Sequence, residues 1–137
     1  MKQVVPAEEL ITRCIFQPVP SIFADIGKAR GGNVLGLDKV QGNALLWLYI
    51  NTCESAQYEE FLHSKAAAFV AEMDAFAKSI DASVSWVYLN YADSTQDPVK
   101  SYGEDNVEFL RDVSRKYDPE GLFQKGMRSG FKIPDSR

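Results

Sequence analysis

The side chains best able to do chemistry lie together in one short run, residues 85–93. A phenol can give or take a proton, while an amide or a carboxylate can orient a hydroxyl group. The run carries all three groups within four positions, at Asn90, Tyr91 and Asp93. We therefore predict these three as catalytic residues, with Tyr91 as the general acid or base.

Aromatic rings surround this trio and predict a binding wall for an apolar ligand. Rings that carry polar tips line pockets well, because they combine a large apolar surface with a hydrogen-bonding group. The alternation of residues 44–51 and 84–92 places ring residues on shared strand faces. The predicted substrate-binding residues are Trp47, Tyr49, Trp86, Tyr88 and Tyr102.

Each candidate also has a structural interpretation, which the residue types alone leave open. Tyr91 can be a packed core ring whose hydroxyl finds a backbone partner. Asp93, just after a strand and before Ser94 and Thr95, is typical of a turn. Tyr102 belongs to a loop that leads into a helix.

Periodicity predicts an α+β fold and a single domain over residues 1–137. The expected sheet is small, antiparallel and three-stranded, with helices packed on its Leu46 and Leu48 face. The aromatic face of Trp47 and Tyr49 is expected to form a pocket or a dimer interface. The predicted strands are 10–17, 44–51 and 84–92, the predicted helices are 20–30, 55–80 and 104–117, and residues 122–137 are an extended tail.

Composition excludes several classes of partner. The net charge of −4 and the absence of a basic cluster argue against nucleic-acid binding. No long apolar run predicts a membrane span, and the first residues lack a signal peptide, so a cytoplasmic location is expected. Cys14 and Cys53 show no zinc spacing and border apolar runs, which predicts buried free thiols and no metal site.

Several short motifs together resemble FAD-linked oxidases of the berberine-bridge type, in their fungal form. They are Gly31–Gly36, Tyr88–Asp93, Ser101–Gly103, Lys116–Pro119 and Gly130–Lys132. The resemblance implies the last part of the substrate-binding domain of such an enzyme. It also implies that Tyr91 matches the family's proton-accepting tyrosine, Asn90 its flavin-facing amide and Tyr88 a ring of the pocket wall.

The sequence departs from that family where flavin would be held. Nothing matches the phosphate-binding loops, or the His and Cys that attach the flavin covalently. We therefore predict no cofactor for this chain, with FAD present only if a partner chain supplies the missing flavin domain.

These observations predict a stand-alone, flavin-less relative of FAD-linked oxidases. It would bind a small apolar secondary metabolite and promote a non-redox step such as cyclisation, isomerisation or dehydration. The alternative is a non-catalytic dimerisation or accessory module of a full-length oxidase, or an inactive fragment of one. A homodimer formed through the aromatic face is expected in addition.

Overall fold

The computed structural model describes residues 5–135, which divide into two compact units. The first unit comprises residues 5–18 and 45–84, and the second comprises residues 19–44 and 85–135. The strands are β1 (Leu10–Val19) and β2 (Ala44–Cys53), and the helices are α1 (Ile22–Ala29), α2 (Glu59–Ser79), α3 (Pro98–Ser101) and α4 (Glu104–Tyr117). The α+β class and the small antiparallel sheet are confirmed.

The sheet has two strands, β1 and β2, and its register follows from two contacts. The Glu54 amide donates to the Glu9 carbonyl at 3.3 Å. Further along, the Thr12 hydroxyl donates to the Asn51 side chain at 2.8 Å. Residue numbers rise on one strand as they fall on the other, so Thr12 lies opposite Asn51 in an antiparallel ladder.

The aromatic face of β2 meets α2 in the first unit. The Phe69 ring lies edge-on to Trp47 with centroids 5.9 Å apart, and 5.0 Å from Tyr49. The structure therefore reverses the predicted faces, since the helix covers Trp47 and Tyr49 rather than Leu46 and Leu48. Alternation shows which residues share a face, but both faces of β2 are apolar enough to take a helix.

β1 is exposed along nearly its whole length. Its neighbour β2 is half-buried, so α2 shelters one strand of the pair and leaves the other open. Cys14 on β1 is an exposed free thiol and Cys53 is half-buried. The prediction of buried thiols was wrong for Cys14, because no third strand or helix covers β1 among the described residues.

The predicted third strand is absent from the described residues. Residues 82–88 have no regular secondary structure and no ladder partner, and Leu89–Tyr91 form a 3-10 turn. Side-chain groups take the place of a neighbouring strand here, since the Val87 amide donates to the Ser101 hydroxyl at 3.0 Å. Alternating rings alone do not make a strand, since a strand also needs a neighbour whose backbone groups pair with its own.

The core of the second unit is small and lies around α3 and α4. Its buried side chains are those of Pro98, Val99, Tyr102 and Val107. The Asp97 carboxylate caps α3 by accepting from the Lys100 amide at 3.2 Å, a standard use of Asp at a helix start. None of the helices within residues 5–135 has the length and apolar character needed to cross a membrane.

Asp118 shapes the end of α4. One of its carboxylate oxygens accepts from the Leu122 amide at 2.7 Å, and the other accepts from the Phe123 amide at 2.9 Å. These bonds support a π-helical turn, Leu122–Gly126, which opens the segment predicted to be an extended tail. The carboxylate supplies acceptors for backbone amides that an extended chain would leave to water.

A guanidinium holds the end of the described chain. Arg111 Nε donates to the Pro134 carbonyl at 2.9 Å, and its Nη2 donates to the Asp135 carbonyl at 3.2 Å. Its Nη1 pairs with Glu104 and Glu108 on its own helix, at 2.9 and 2.8 Å. The tail therefore closes back onto α4 through one side chain.

Candidate functional site

Three rings from the predicted active segment form what we call the aromatic ladder, defined as Trp86, Tyr88 and Tyr91. Trp86 stacks on Tyr88 with centroids 5.8 Å apart and planes 23° apart. Tyr88 meets Tyr91 edge-on, with centroids 5.0 Å apart. Asn90 joins the ladder because its amide nitrogen donates to the Tyr88 hydroxyl at 2.8 Å.

The inner end of the ladder is anchored to the loop before the turn Leu37–Lys39. The Trp86 indole N–H donates to the Leu35 carbonyl at 2.6 Å, a bond that fixes the plane of the ring. The next residue, Gly36, has φ of +72° and lies against the Tyr102 backbone. A Cβ on Gly36 would come within 2.5 Å of the Tyr102 carbonyl oxygen. Glycine is required there both for its conformation and for the close approach.

The outer end of the ladder reaches solvent. Tyr91 is 42% exposed, whereas Trp86 and Tyr88 are half-buried. Ser101 holds the segment between them, since its hydroxyl accepts from the Val87 amide and donates to the Pro98 carbonyl at 2.6 Å. A phenol at an exposed end of a fixed ring stack can contact a ligand and exchange a proton with it.

Tyr102 is placed differently from the prediction that it lines a pocket. It is only 3% exposed, and its hydroxyl finds no hydrogen-bond partner among the described residues. Burial raises the pKa of the Tyr102 phenol; the Leu89 backbone opposes this rise, although its geometry falls short of a hydrogen bond. The ring thus forms part of the core that supports the ladder, and its contact with substrate stays a prediction.

Asp93 forms the turn that the sequence suggested. One carboxylate oxygen accepts from the Thr95 amide at 2.9 Å and from the Thr95 hydroxyl at 2.6 Å. Its own amide donates to the Gln96 side chain at 2.9 Å. The structural interpretation of Asp93 is confirmed, while its catalytic role stays a prediction.

Trp47 and Tyr49 belong to the first unit, whereas the ladder belongs to the second. Both rings pack on Phe69, so a packing role accounts for their position, and their role in substrate binding stays a prediction.

The second unit also has an open cleft of about 370 Å³ between α1 and α4, which was not predicted from the sequence. Lys28, Asn33, Asp38 and Asn106 supply its polar groups, and no ladder residue lines it. Its polar groups come from separate motifs, and only the fold brings them together.

Comparison with known proteins agrees with the motifs. Residues 87–125 match the family described as "Berberine and berberine like". The chain is 42% identical to the FAD-dependent monooxygenase sdcF of Emericella nidulans over 119 residues, which are 87% of this chain and 25% of that protein. It is 39% identical to the FAD-dependent monooxygenase drtC of Aspergillus calidoustus, over 86% of this chain and 22% of that protein.

A third relative is the bifunctional solanapyrone synthase of Alternaria solani, at 32% identity over 85% of this chain and 22% of that protein. The chain thus spans about a quarter of the length of these curated relatives. No solved structure matches it. The resemblance to FAD-linked oxidases of the berberine-bridge type is confirmed, and it holds for a part of such proteins.

Proposed function

We propose that this chain, a relative of one segment of the fungal FAD-linked oxidases, forms the substrate-facing wall of an oxidase active site. The observation that carries the proposal is the half-exposed Tyr91 ring at the outer end of the aromatic ladder. Two of the three ladder rings, Tyr88 and Tyr91, lie within the residues that match the family, 87–125, and Trp86 directly precedes them. Its inner end is fixed by Trp86 and Ser101, so the exposed end is held in one place.

In this proposal each residue of the ladder has a separate task. Tyr91 accepts a proton from a substrate hydroxyl, or returns one. Tyr88 and Trp86 form an apolar wall that holds a planar metabolite. Asn90 keeps the Tyr88 hydroxyl oriented through its 2.8 Å bond. Fixing a proton acceptor beside a bound substrate lowers the barrier, because the entropy of bringing the groups together is lost on binding.

The fit of FAD to the described residues is partial. When bound, FAD would accept a hydride from the substrate. Rings and an amide suit the flat flavin ring, but its pyrophosphate needs a tight cradle of backbone amides or cations. Gly31 and Gly32 are consecutive left-handed glycines, yet a Cβ on either would meet open space, and α1 ends beside them rather than begins. We therefore propose that FAD is held by polypeptide outside residues 5–135.

Exposed apolar surface also supports a role within a larger assembly. Among the described residues, nineteen large hydrophobic side chains are exposed, and the buried hydrophobic core is only Leu62, Val99, Tyr102 and Val107. A protein that functions alone seldom leaves so much apolar surface in water. This balance favours a segment that works against additional polypeptide.

The non-redox reaction predicted from the sequence is the second candidate. The observation in its favour is that the exposed Tyr91 phenol can give and take back a proton without flavin. In this case the chain alone would bind a small apolar metabolite and promote cyclisation, isomerisation or dehydration. The two candidates differ in whether the chain needs a flavin-binding partner to act.

One fusion protein tests the first candidate. It joins this chain to sdcF in place of the 119 matched residues. We expect the fusion to absorb at about 450 nm, as a protein with bound oxidised flavin does, and to turn over the substrate of sdcF. Tyr91→Phe should then lower kcat by about 100-fold or more, the range for loss of a general acid or base.

Tyr117→Phe is the matched control, since Tyr117 is 72% exposed at the end of α4 and outside the ladder. Equal rates for the two variants would remove Tyr91 from the reaction. Turnover of the same substrate by the chain alone, without flavin and dependent on Tyr91, would instead establish the second candidate.

A further inference from the structure

β1 has a free edge whose residues can be identified from the register. In an antiparallel ladder, the residues of a strand alternate between those bonded to the neighbour and those whose amide and carbonyl point away. The Glu54–Glu9 bond places the odd-numbered residues of β1 toward β2. The outward amides therefore belong to Leu10, Thr12, Cys14 and Phe16, and Pro18 adds only an outward carbonyl.

Nothing among the described residues pairs with this edge. The sheet contains only β1 and β2, and no backbone hydrogen bond joins the outward residues to another element within residues 5–135. The side chains are open as well, with Ile11 at 52% and Phe16 at 57% exposure. Proteins normally protect such an edge with charges, prolines or a bulge. Here the protection is limited to one charge, Arg13, and to one proline near the end of β1, Pro18.

We infer that the outer edge of β1 accepts a β-strand from the polypeptide that carries the flavin-binding part of the enzyme. The inference rests on the proposed function and names the partner that completes it. Its first support is length, because the chain spans 25% of sdcF and 22% of drtC. About three quarters of such a protein is therefore available to supply the strand. Strand addition would pair the outward backbone groups and cover the exposed apolar side chains.

A second copy of this chain fits the edge poorly. Two β1 strands related by a two-fold axis pair all four outward residues only if the axis passes through Arg13. That register places Arg13 directly opposite its own copy, and like charges at opposed positions destabilise a sheet. A shift of two residues toward the end of the strand brings in Pro18, which has no amide hydrogen to donate.

The position of Arg13 also indicates which residue types the partner strand should contain. Arg13 is exposed and shares its face of β1 with Ile11 and Ile15. A strand laid beside it would cover these two side chains with apolar groups. It would also need a carboxylate near Arg13, because a guanidinium covered without a partner is costly. The expected strand is thus apolar with one Asp or Glu.

Hydrogen exchange of the β1 amides tests the inference in the chain alone and in the sdcF fusion. In the chain alone, the amides of Leu10, Thr12, Cys14 and Phe16 should exchange freely, while those of the odd-numbered residues are protected. In the fusion, the four outward amides should slow by about 100-fold or more. Fast exchange of these amides in a fusion that absorbs at the flavin band would overturn the inference.

A pair of variants at one position provides an independent measurement. Cys14→Pro removes an outward amide, whereas Cys14→Ala keeps it and only shortens the side chain. In the chain alone, only the restricted φ of proline separates Cys14→Pro from Cys14→Ala. We expect the Tm gap between the two variants to be larger in the fusion, where Cys14→Pro also removes a hydrogen bond to the added strand. Equal Tm gaps in the fusion and in the chain alone would contradict the inference, as would a fusion that fails to hold FAD when intact sdcF holds it.

Two further outcomes distinguish this inference from a self-paired dimer and from the proposed role of Tyr91. Protection of the outward amides in the chain alone, with a dimer mass in light scattering, would assign the edge to a second copy and refute the inference. Protection in the fusion together with an unchanged rate for Tyr91→Phe would support the strand partner and defeat only the proposed role of Tyr91.

Discussion

Replacement of Gly36 by alanine should destabilise the second unit, and the same replacement at Gly42 serves as the matched control. Gly36 and Gly42 share the same left-handed φ of +72°. A Cβ on Gly36 would meet the Tyr102 carbonyl oxygen at 2.5 Å, whereas a Cβ on Gly42 would meet nothing within 4 Å. The pair therefore separates the cost of close approach from the cost of backbone conformation.

The expected magnitudes follow from these two terms. Alanine in the left-handed region costs about 1–2 kcal/mol, offset by about 0.4–1 kcal/mol through the less flexible unfolded chain. Gly42→Ala should thus lower the free energy of unfolding by at most about 1.6 kcal/mol. Gly36→Ala must in addition push a backbone carbonyl aside, and forced overpacking adds about 1–3 kcal/mol.

Thermal unfolding of the two variants measures the difference. For a chain of this size, about 1–3 kcal/mol corresponds to a Tm gap of about 4–12 °C between Gly36→Ala and Gly42→Ala. Tryptophan fluorescence in a Trp47→Phe background reports on Trp86, which is bonded to the residue before Gly36. Equal Tm values and an unchanged Trp86 spectrum would refute the packing of this loop on Tyr102.

Three further predictions concern single side chains of the second unit. Tyr102→Phe should leave stability at neutral pH unchanged or raise it slightly, since the buried Tyr102 hydroxyl has no hydrogen-bond partner among the described residues. In the unsubstituted chain, stability should fall as pH rises above 10.0 through the raised pKa of Tyr102, and urea unfolding of Tyr102→Phe should show no such fall. Asp118→Ala should lower the free energy of unfolding by about 1–2 kcal/mol. In hydrogen exchange, the amides of Leu122 and Phe123, which Asp118 protects, should then exchange fast. Hydrogen bonds from Arg115 and Arg111 lower the pKa of Glu108. The stabilisation that ionised Glu108 gives the folded state should therefore persist below pH 4.5 and vanish as pH falls through the lowered pKa. Glu108→Gln should abolish this pH dependence in an acid titration followed by circular dichroism.

The sequence was a good guide to the elements with strong local signals. The helix predicted over 104–117 was found at Glu104–Tyr117, because its apolar residues repeat with the helical period and Asp118 stops it. The strand predicted over 44–51 extends to Cys53. In both cases the deciding forces are local, namely periodicity and a terminating residue.

Predictions that depended on distant partners fared less well. The faces of β2 were assigned in the wrong order because only the fold decides that Phe69 reaches Trp47 and Tyr49. The third strand was predicted from alternating rings, but the segment is held by hydrogen bonds to Ser101 and Leu35 and does not pair with a neighbouring strand. Within the candidate site, the order of rings was readable from the chain, whereas the burial of Tyr102 was not.

The bonds of Arg111 imply an order of events during folding. Glu104 and Glu108 lie on the same helix as Arg111, so α4 can hold the guanidinium in place as soon as the helix forms. The Pro134 and Asp135 carbonyls come from residues more than twenty positions away, and closing such a loop costs entropy. We therefore expect the tail to dock last, on an α4 that has already formed, and to be released first on heating. A protease added during mild warming would trim it before cutting α4.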